Sequence, residues 1–374
     1  MENQKSKILF LIQFPPPVHG VSVINKHIFN LSIFDEEYIK DVVELKFSED
    51  LTTLSKLNLK KVLRTLKIAY ELLLKGIKIK PQFVYFTISP ANNTFYRDLI
   101  FVFIIKLLRI KPIYHLHGKG ISDNVQKNPF VRNIYKWVFN NSAIIHLSDG
   151  LVRRELHPLQ LKNAIIYVLP NGIINQYPIQ TFPITEKKDD VLFLSNLFPS
   201  KGIFILLQAI KLVKDHIPTI KVNIVGDTVN NQILREVKRL IVKYKLEQNV
   251  IIHGKKLGKE KSIFLENTKI FVHPTLNDAF PLVILEALQN GLPVITTNEG
   301  AIPEIIDDET GIIIQKNDPE QLALKIISLL SDQEHLKTLS KNCVDQFNER
   351  YTASIFNKNV HKIFMTIINK KIND

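Results

Sequence analysis

Short apolar runs typical of buried strands alternate with helical segments along most of the chain, and this alternation restricts the possible folds more than any other feature. The first half contains five such runs, at residues 7–14, 83–88, 112–118, 143–148 and 164–172. The helical segment over residues 60–76 is expected to end at Gly76, since glycine commonly stops a helix. Strands that alternate with helices favour a parallel sheet covered by helices on both faces.

A polar stretch with two prolines, residues 177–190, separates this half from a second alternating series. The second series has strand-like runs at residues 191–196, 221–227, 250–254, 270–274, 293–297 and 311–315. We therefore predict an α/β protein with two Rossmann-like doubly wound domains facing a central cleft, because such sheets bind ligands at the carboxyl ends of their strands. The predicted parts are an N-terminal domain over residues 1–180, a C-terminal domain over residues 189–352, and an amphipathic helix over residues 353–374 that packs back on the N-terminal domain.

The composition is that of a globular protein, with 45% hydrophobic and 23% charged residues. No apolar run reaches the roughly 20 residues that span a bilayer. The longest one, residues 99–108, contains Lys106. The N-terminus lacks the small-residue cleavage site of a signal peptide. We therefore expect a cytoplasmic protein without a transmembrane segment.

Positive charge is concentrated in the first half of a chain whose net charge is +13. Residues 56–111 contain 12 Lys or Arg and only two Asp or Glu. The basic helix over residues 60–76 has apolar residues at spacings of three and four, a pattern typical of a surface that binds anionic lipid. The alternative is a helix packed in the core whose lysines merely meet water. A nucleic-acid partner is disfavoured, because the aromatic residues there fit core positions and not a stacking platform.

The stretch over residues 277–294 places two carboxylates around the start of an apolar helix. Pro281 suits the first turn of this helix and Gly291 suits its end. The free N–H groups of such a helix start bind phosphate or a polar sugar. Glu286 could then accept hydrogen bonds from a ribose diol while Asp278 faces the sugar beyond. The structural alternative is that Asp278 only caps the helix and Glu286 pairs with a lysine.

Three neighbouring stretches also have features of a site that binds a phosphate or a sugar. Residues 192–202 bring Lys201 to the start of a helix, where an ammonium group can reach a pyrophosphate and stabilise departing charge. Residues 222–227 end a strand with Gly226, which leaves room for a ligand near the backbone. Residues 298–306 form a further glycine turn before a helix that begins with proline. Each stretch is a weak signal alone, but their order and spacing are specific together.

This order of motifs resembles glycosyltransferase family four, the retaining nucleotide-sugar enzymes of the GT-B fold. The resemblance is close over residues 191–332 and looser in the first half, through "PPPVHGVS", "HLHG" and "LPNGI". It implies transfer of a sugar from a nucleotide-diphosphate sugar to a hydroxyl of a glycan or lipid-linked acceptor, in bacterial surface polysaccharide synthesis. The first domain would face the acceptor and the second would bind the donor. The basic segment would then dock the protein on the inner face of the cell membrane.

The resemblance also implies roles for individual residues. Lys201, Asp278 and His117 would be the catalytic residues, on the diphosphate, on the donor sugar and near the reacting carbon respectively. Glu286 would bind the ribose hydroxyls. The other implied donor-binding residues are Gly20, Asn196, Gly226, Gly254, Lys255, Ala279, Phe280, Pro281 and Leu282.

Two positions depart from the family's pattern. Asn196 stands where the family usually has arginine, which removes a bidentate phosphate clamp and leaves one amide donor. Asp278 stands where glutamate is usual and is one methylene shorter. The alternative function is therefore a non-catalytic nucleotide-sugar-binding or scaffold protein on a degenerate GT-B fold.

No metal site and no cofactor are expected, since the chain has no Asp-x-Asp pair and no His, Cys or Asp cluster with ligand spacing. The nucleotide-sugar would be a substrate. His115, His117, His146 and His157 are scattered through strands and loops, and only His117, before Gly118 at a strand end, is expected to be functional. A Rossmann-type dehydrogenase or epimerase is disfavoured, because "PPPVHGVS" replaces the required G-x-G-x-x-G loop.

Overall fold

The computed structural model describes residues 5–47, 59–174, 183–228 and 230–369. The chain forms two compact units. One contains the residues up to Asn171 together with those from Phe356 onward, and the other runs from Gly172 to Ile355. Much of the predicted linker falls on residues 175–182, which lie outside the described residues.

The first unit is built on a six-stranded sheet in the order β2-β1-β3-β4-β5-β6, with all neighbouring strands parallel. Its strands are β1 Ser6–Ile12, β2 Tyr38–Glu44, β3 Phe83–Phe86, β4 Lys111–Leu116, β5 Ala143–His146 and β6 Ile165–Val168. The central strands are continuous apolar runs because helices cover both faces of the sheet. Phe10, Tyr85 and Ile144 are accordingly fully buried.

The helices of this unit begin after the strands, as parallel crossovers require. They are α1 Gly20–Phe29, α2 Ile33–Glu36, α3 Leu59–Ile79, α4 Asn92–Leu107, α5 Ile121–Lys127, α6 Val131–Phe139 and α7 Asp149–Leu151, followed by a π-helical turn over Val152–Leu156. The last helix of the chain, Ala353–Asn369, packs largely on this unit. Its Phe364 ring meets Phe34 edge-on with centroids 4.8 Å apart, and Tyr38 donates a hydrogen bond to Met365 Sδ at 3.4 Å.

The second unit repeats the plan with a parallel sheet in the order β12-β11-β10-β7-β8-β9. Its strands are β7 Asp189–Leu194, β8 Val222–Val225, β9 Val250–Gly254, β10 Thr268–His273, β11 Val294–Thr297 and β12 Gly311–Ile314. Its helices are α8 Ile203–His216, α9 Asn231–Lys243, α10 Gly258–Asn267, α11 Leu282–Gln289, α12 Ile302–Ile305, α13 Pro319–Ser331 and α14 Gln333–Arg350, so that the chain's last helix is α15.

The predicted fold class of two Rossmann-like doubly wound α/β domains is confirmed. Two local expectations were wrong. The sequence reading gave no strand at β2, whose charged residues Lys40 and Asp41 suit the edge position that it occupies. Helix α3 also continues past Gly76 to Ile79. A side chain at Gly76 would lie 2.4 Å from Leu108 Cδ1, so close packing explains this glycine better than a helix stop.

Candidate active site

The carboxyl ends of the strands in the second sheet bring Lys201 and Asp278 into contact. Because the strands are parallel, the loops after β7 and β10 emerge at the same edge of the sheet. The Lys201 ammonium donates to Asp278 Oδ2 at 2.5 Å and to the carbonyl of Asn277 at 3.2 Å. Two of its three N–H donors are therefore used within the protein, and one is left for a ligand.

Close backbone packing fixes this contact. Gly202 has a φ of 82°, and a side chain there would lie 2.0 Å from the carbonyl oxygen of Pro274. The carbonyl of Ser200 accepts hydrogen bonds from the N–H groups of Leu276, at 2.7 Å, and Asn277, at 3.3 Å. Lys201 lies between these two anchored positions, so its side chain is directed at Asp278 by the main chain.

Asp278 is held ionised by its neighbours. Burial alone raises the pKa of its carboxyl, but the hydrogen bond from His273 and the charge of Lys201 outweigh burial and lower that pKa to about 2. His273 Nε2 lies 3.2 Å from Asp278 Oδ2, and the other ring nitrogen of His273 is buried without a partner among the described residues. The sequence reading assigned no role to His273. Its position at the end of β10, five residues before Asp278, was the available signal.

The loop from Asp278 to the start of α11 packs against the backbone of Gly300 and Ala301. Gly300, with a φ of 57°, would carry a side chain only 2.4 Å from the carbonyl oxygens of Asp278 and Ala279. The N–H of Ala301 donates to the Ala279 carbonyl at 2.7 Å. The predicted donor-binding residues Ala279, Phe280, Pro281 and Leu282 form this loop and the first residue of α11. Phe280 is buried and Pro281 occupies the N-cap, one position earlier than the sequence reading placed it.

Only one of the two carboxylate oxygens of Glu286 has a hydrogen-bond partner within the described residues of the protein. Lys261 of α10 donates to Glu286 Oε1 at 2.7 Å, which realises the lysine pairing considered as an alternative. Glu286 Oε2 is buried and has no hydrogen-bond partner among the described residues. A buried carboxylate oxygen without a partner is costly. This oxygen is therefore an acceptor that a ligand hydroxyl can satisfy.

Asn196 has an internal role that an arginine could not fill. Its Oδ1 accepts a hydrogen bond from the N–H of Asp227 at 3.2 Å and so links the ends of β7 and β8. A guanidinium has no acceptor atom. A side chain at the neighbouring Gly226 would lie 1.8 Å from the Ser195 carbonyl oxygen. The space that a side chain would need at Gly226 is thus taken by protein backbone, which explains this glycine structurally, and its donor-binding role stays a prediction.

Gly254 and Lys255 lie at the end of β9, on the same edge. A side chain at Gly254 would meet nothing within 4 Å, so this glycine, unlike Gly226, borders open space. The carbonyl of Gly254 accepts from the N–H of Gly226 at 2.9 Å. The Lys255 ammonium lies 3.4 Å from Asp227 Oδ2, and both side chains are about half exposed. This part of the edge is therefore open and adjustable, in contrast to the fixed Lys201–Asp278 pair.

In the first unit, His117 belongs to a cluster of histidines. The rings of His115 and His117 have centroids 3.9 Å apart, and Tyr85 Oη lies 2.5 Å from His115 Nδ1. Nε2 of His115, His117 and His146 is buried in each case without a partner among the described residues. Burial, followed by the nearby His146 and His19, lowers the pKa of His117 to about 3. The expectation that these histidines are scattered was wrong, except for His157.

His19 connects this cluster to Gly20, the first residue of α1. His19 caps the helix, since its Nδ1 accepts from the N–H of Ser22 at 3.3 Å while Ser22 Oγ accepts from the N–H of His19 at 3.1 Å. Gly20 itself is exposed. The structure therefore brings His117 near the position preceding Gly20, within the first unit.

A buried carboxylate also holds the loop that follows His117. Glu155 Oε2 accepts hydrogen bonds from the N–H groups of Gly120, Ile121 and Ser122 at 2.9, 2.7 and 3.2 Å. Glu155 lies in the π-helical turn after α7. It occupies the N-terminus of α5, where an anion is favoured. The sequence reading missed Glu155 and Lys261, because their partners lie 34 and 25 residues away and no local pattern marks them.

Across the described residues, no group of three or more His, Cys, Asp or Glu side chains has the arrangement of a metal site. None of the described helices is long and apolar enough to cross a bilayer.

The second unit matches a known family. Residues 179–345 match the model of the family "Glycosyl transferases group 1". The uncharacterized glycosyltransferase MJ1178 of Methanocaldococcus jannaschii is 28% identical over 262 residues, which cover 69% of this chain and 69% of that protein.

Two further relatives carry more specific names. The capsular polysaccharide biosynthesis glycosyltransferase CapM of Staphylococcus aureus is 25% identical, over 62% of this chain and 63% of CapM, slightly less than two thirds of that protein. The UDP-Gal:alpha-D-GlcNAc-diphosphoundecaprenol alpha-1,3-galactosyltransferase of Escherichia coli is 25% identical, over 66% of this chain and 70% of that enzyme.

The fold is also similar to that of solved glycosyltransferase structures. Anabaena Alr3699/HepE, solved in complex with UDP-glucose, superposes with a TM-score of 0.74 over 96% of this chain and 99% of that one, at 18% identity. At that identity the likeness shows the fold. The family match over residues 179–345 and the relatives support a glycosyltransferase enzyme of the family-four type, and the solved structures show that the chain has the GT-B fold.

Proposed function

We propose that the chain transfers a glycosyl group from a nucleotide-diphosphate sugar to a hydroxyl of a glycan or lipid-linked acceptor, with retention of configuration at the anomeric carbon. The observation that carries the proposal is the group at the carboxyl edge of the second sheet: a Lys201 ammonium with one N–H to spare, an ionised Asp278, and a buried Glu286 oxygen without a partner. The Lys201 cation suits a diphosphate, and the Asp278 carboxylate suits the hydroxyls of a sugar. The free Glu286 oxygen suits a hydroxyl of the ribose.

In the proposed reaction, the bond between the anomeric carbon and the phosphate oxygen breaks, and the acceptor oxygen bonds to that carbon on the same face. The acceptor's proton passes to the departing phosphate oxygen. Lys201 stabilises the negative charge that develops on this phosphate. Glu286 Oε2 accepts a hydrogen bond from a ribose hydroxyl, and Asp278 orients the sugar. The nucleotide-sugar is a substrate, and no cofactor is invoked.

The names of the similar proteins support this choice of substrates. HepE was solved with UDP-glucose, the galactosyltransferase relative is named for a UDP-sugar donor and a diphosphoundecaprenol-linked acceptor, and CapM is named for capsular polysaccharide. We accordingly propose a UDP-sugar donor, an acceptor carried by a polyprenyl diphosphate, and a place in surface polysaccharide synthesis on the inner face of the cell membrane.

The test is release of nucleoside diphosphate from a set of UDP- and GDP-sugars, with and without N-acetylglucosaminyl diphosphoundecaprenol as acceptor. We expect acceptor-dependent release from one donor and a glycosylated product whose anomeric proton coupling matches that of the donor. A protein that binds a nucleotide-sugar but releases no nucleotide with any acceptor would favour the scaffold alternative instead. A product of inverted configuration would contradict the retaining mechanism.

A further inference from the structure

Helices α3 and α4 of the first unit expose an unusual number of large apolar side chains. Of the 21 strongly exposed ones in the part of the chain that the structure describes, ten lie on these two helices. They are Val62, Leu63, Leu66, Tyr70, Leu74 and Ile77 on α3, and Tyr96, Ile100, Phe103 and Leu107 on α4, with exposures from 40% to 63%. Single exposed apolar residues are normal, but a concentrated group marks an interaction surface.

These side chains form a stripe on each helix. On α4 the spacings are four, three and four residues, and on α3 the series from Leu63 to Ile77 has spacings of three and four, so each set lies along one side of its helix. The core contacts of α3 come from other positions, among them Ile68 and Leu72. Helix α3 therefore has two apolar faces, one packed in the core and one exposed.

The two helices that carry the stripes run side by side. Near the starts of the helices, the carbonyl of Phe47 accepts from Arg64 Nη1 at 2.8 Å, and the ring of Phe47 lies 3.7 Å from the Arg97 guanidinium carbon. Near their ends, Gly76 is packed against Leu108. Phe47 thus bridges the starts of the two helices, their ends are packed together, and the helices point the same way. Lys106 of α4 also lies over the ring of the exposed Trp137, which extends the surface to α6.

Basic residues flank the apolar stripes, and the acidic ones are already paired. On a helical wheel, Lys67 and Lys78 of α3 lie next to the exposed stripe, and Arg109 follows the end of α4. All three are exposed and form no ion pair with a described residue. The only acids of residues 59–111 are Glu71, which pairs with Lys75, and Asp98, which is buried and pairs with Arg97.

We propose that this surface, the exposed side of α3 and α4 with its flanking lysines and arginines, docks the protein on an anionic lipid bilayer. The charge complementarity selects this occupant: apolar side chains enter the boundary of the acyl chains while the adjacent cations meet the anionic headgroups. The surface lies on the unit for which an acceptor is expected, and its use in reaching a lipid-linked acceptor rests on the proposed function. The docking itself does not.

The test is co-sedimentation with vesicles of phosphatidylcholine containing one third phosphatidylglycerol, compared with phosphatidylcholine alone, at low salt. Two variants remove the two halves of the surface: Leu66→Asp with Phe103→Asp, and Lys67→Glu with Lys78→Glu and Arg109→Glu. Matched controls make equal changes at exposed positions of the second unit: Val242→Asp with Leu324→Asp, and Arg235→Glu with Lys238→Glu and Lys325→Glu. Thermal unfolding verifies that all variants are folded.

We expect the wild type and both controls to pellet with the anionic vesicles, and each surface variant to bind at least about tenfold less, since each cation near such a surface contributes a several-fold factor. Equal pelleting with neutral vesicles, no pelleting by the wild type, or an equal loss in the controls would overturn the proposal.

Light scattering tests the competing occupant, a second copy of the chain. A wild-type dimer that does not bind vesicles, and that Leu66→Asp with Phe103→Asp converts to a monomer, would assign the surface to that second copy. Because no arm uses activity, an inactive enzyme that still binds vesicles would refute the proposed function and leave docking intact.

Discussion

The carboxyl edges of the two sheets have the same architecture but carry different kinds of side chain. The edge of the second unit is charged, with Lys201 and Asp278 in contact and Glu286 paired on one oxygen only. The edge of the first unit is lined by buried histidines, and burial lowers the pKa of both His117 and His146 to about 3, so these rings are neutral near pH 7. Fixed charge suits an anionic donor, whereas neutral imidazoles suit sugar hydroxyls. We therefore expect the anionic part of the proposed donor to bind at the second unit.

The most damaging change to the charged edge is Lys201→Ala. We expect turnover to fall roughly 100-fold or more, because the ammonium stabilises charge that develops on the leaving phosphate. The measurement is the rate of nucleoside diphosphate release at saturating donor and acceptor. Lys238→Ala, on the exposed side of α9, is the matched control and should keep the wild-type rate. Equal rates for Lys201→Ala and the wild type would remove Lys201 from the mechanism.

The ion pair at the same edge should also affect stability in acid. The pKa of Asp278 is about 2 in the folded chain and near 3.8 when unfolded, so its stabilisation is fully present above pH 3.8 and is lost as the pH falls toward 2. The shift corresponds to about 2 kcal/mol of unfolding free energy. Asp278→Asn should lack this loss, which denaturant titrations at about pH 5 and about pH 2.5 would measure. The same loss in both proteins would show that Asp278 contributes nothing to the acid response.

The neutral edge should respond to acid at a higher pH. Because the pKa of His146 falls from 6.5 in the unfolded chain to about 3 on folding, the unfolded state binds more protons between these values, and stability decreases as the pH drops below 6.5. The slope is about 1.4 kcal/mol per pH unit for each such histidine. His146→Asn removes one of them and can keep the acceptor for the Leu147 N–H, which His146 Nδ1 provides at 2.8 Å.

We therefore expect the unfolding free energy of His146→Asn to fall less steeply between about pH 6 and pH 5 than that of the wild type. His216→Asn, at the exposed end of α8 in the second unit, is the control and should follow the wild-type slope. If His146→Asn also follows it, the histidine cluster does not govern the acid sensitivity of the first unit.

A further change at the charged edge is Asn196→Arg. Arginine restores the family's usual residue, but it cannot accept the hydrogen bond from the Asp227 N–H. An unsatisfied N–H at the junction of β7 and β8 costs about 1 to 3 kcal/mol. We expect a lower melting temperature and no gain in donor affinity in calorimetric titrations with UDP. Tighter binding at unchanged stability would mean that Asn196 is only a weakened phosphate clamp.

The fold was predictable from the sequence to a greater extent than the site. Buried parallel strands are continuous apolar runs, which is why the cores around Leu192 and Phe271 could be located directly. The edge strand β2 was missed because Lys40 and Asp41 interrupt its apolar pattern. The family's motifs predicted Lys201 and Asp278, which are 77 residues apart and in contact.

The contacts that complete the site depend on tertiary packing. Lys261 reaches Glu286 from another helix, and the clustering of His115, His117 and His146 follows from the pairing of β4 with β5. Neither relation leaves a spacing signal in the sequence. The two reasons for glycine at Gly226 and Gly254, backbone contact in one case and open space in the other, are likewise visible only in three dimensions.

Calorimetric titration of UDP into the wild type, Glu286→Ala and Lys261→Met tests most directly whether the donor binds at the charged edge of the second unit. Both variants lose the ion pair that joins α10 to α11, but only Glu286→Ala loses the unpartnered acceptor oxygen. We expect Glu286→Ala to weaken UDP binding by about 1 to 3 kcal/mol, roughly 5- to 150-fold in Kd, and Lys261→Met to weaken it much less. Folded Glu286→Ala that binds UDP as tightly as the wild type would contradict the assignment of the donor site to the charged edge of the second unit.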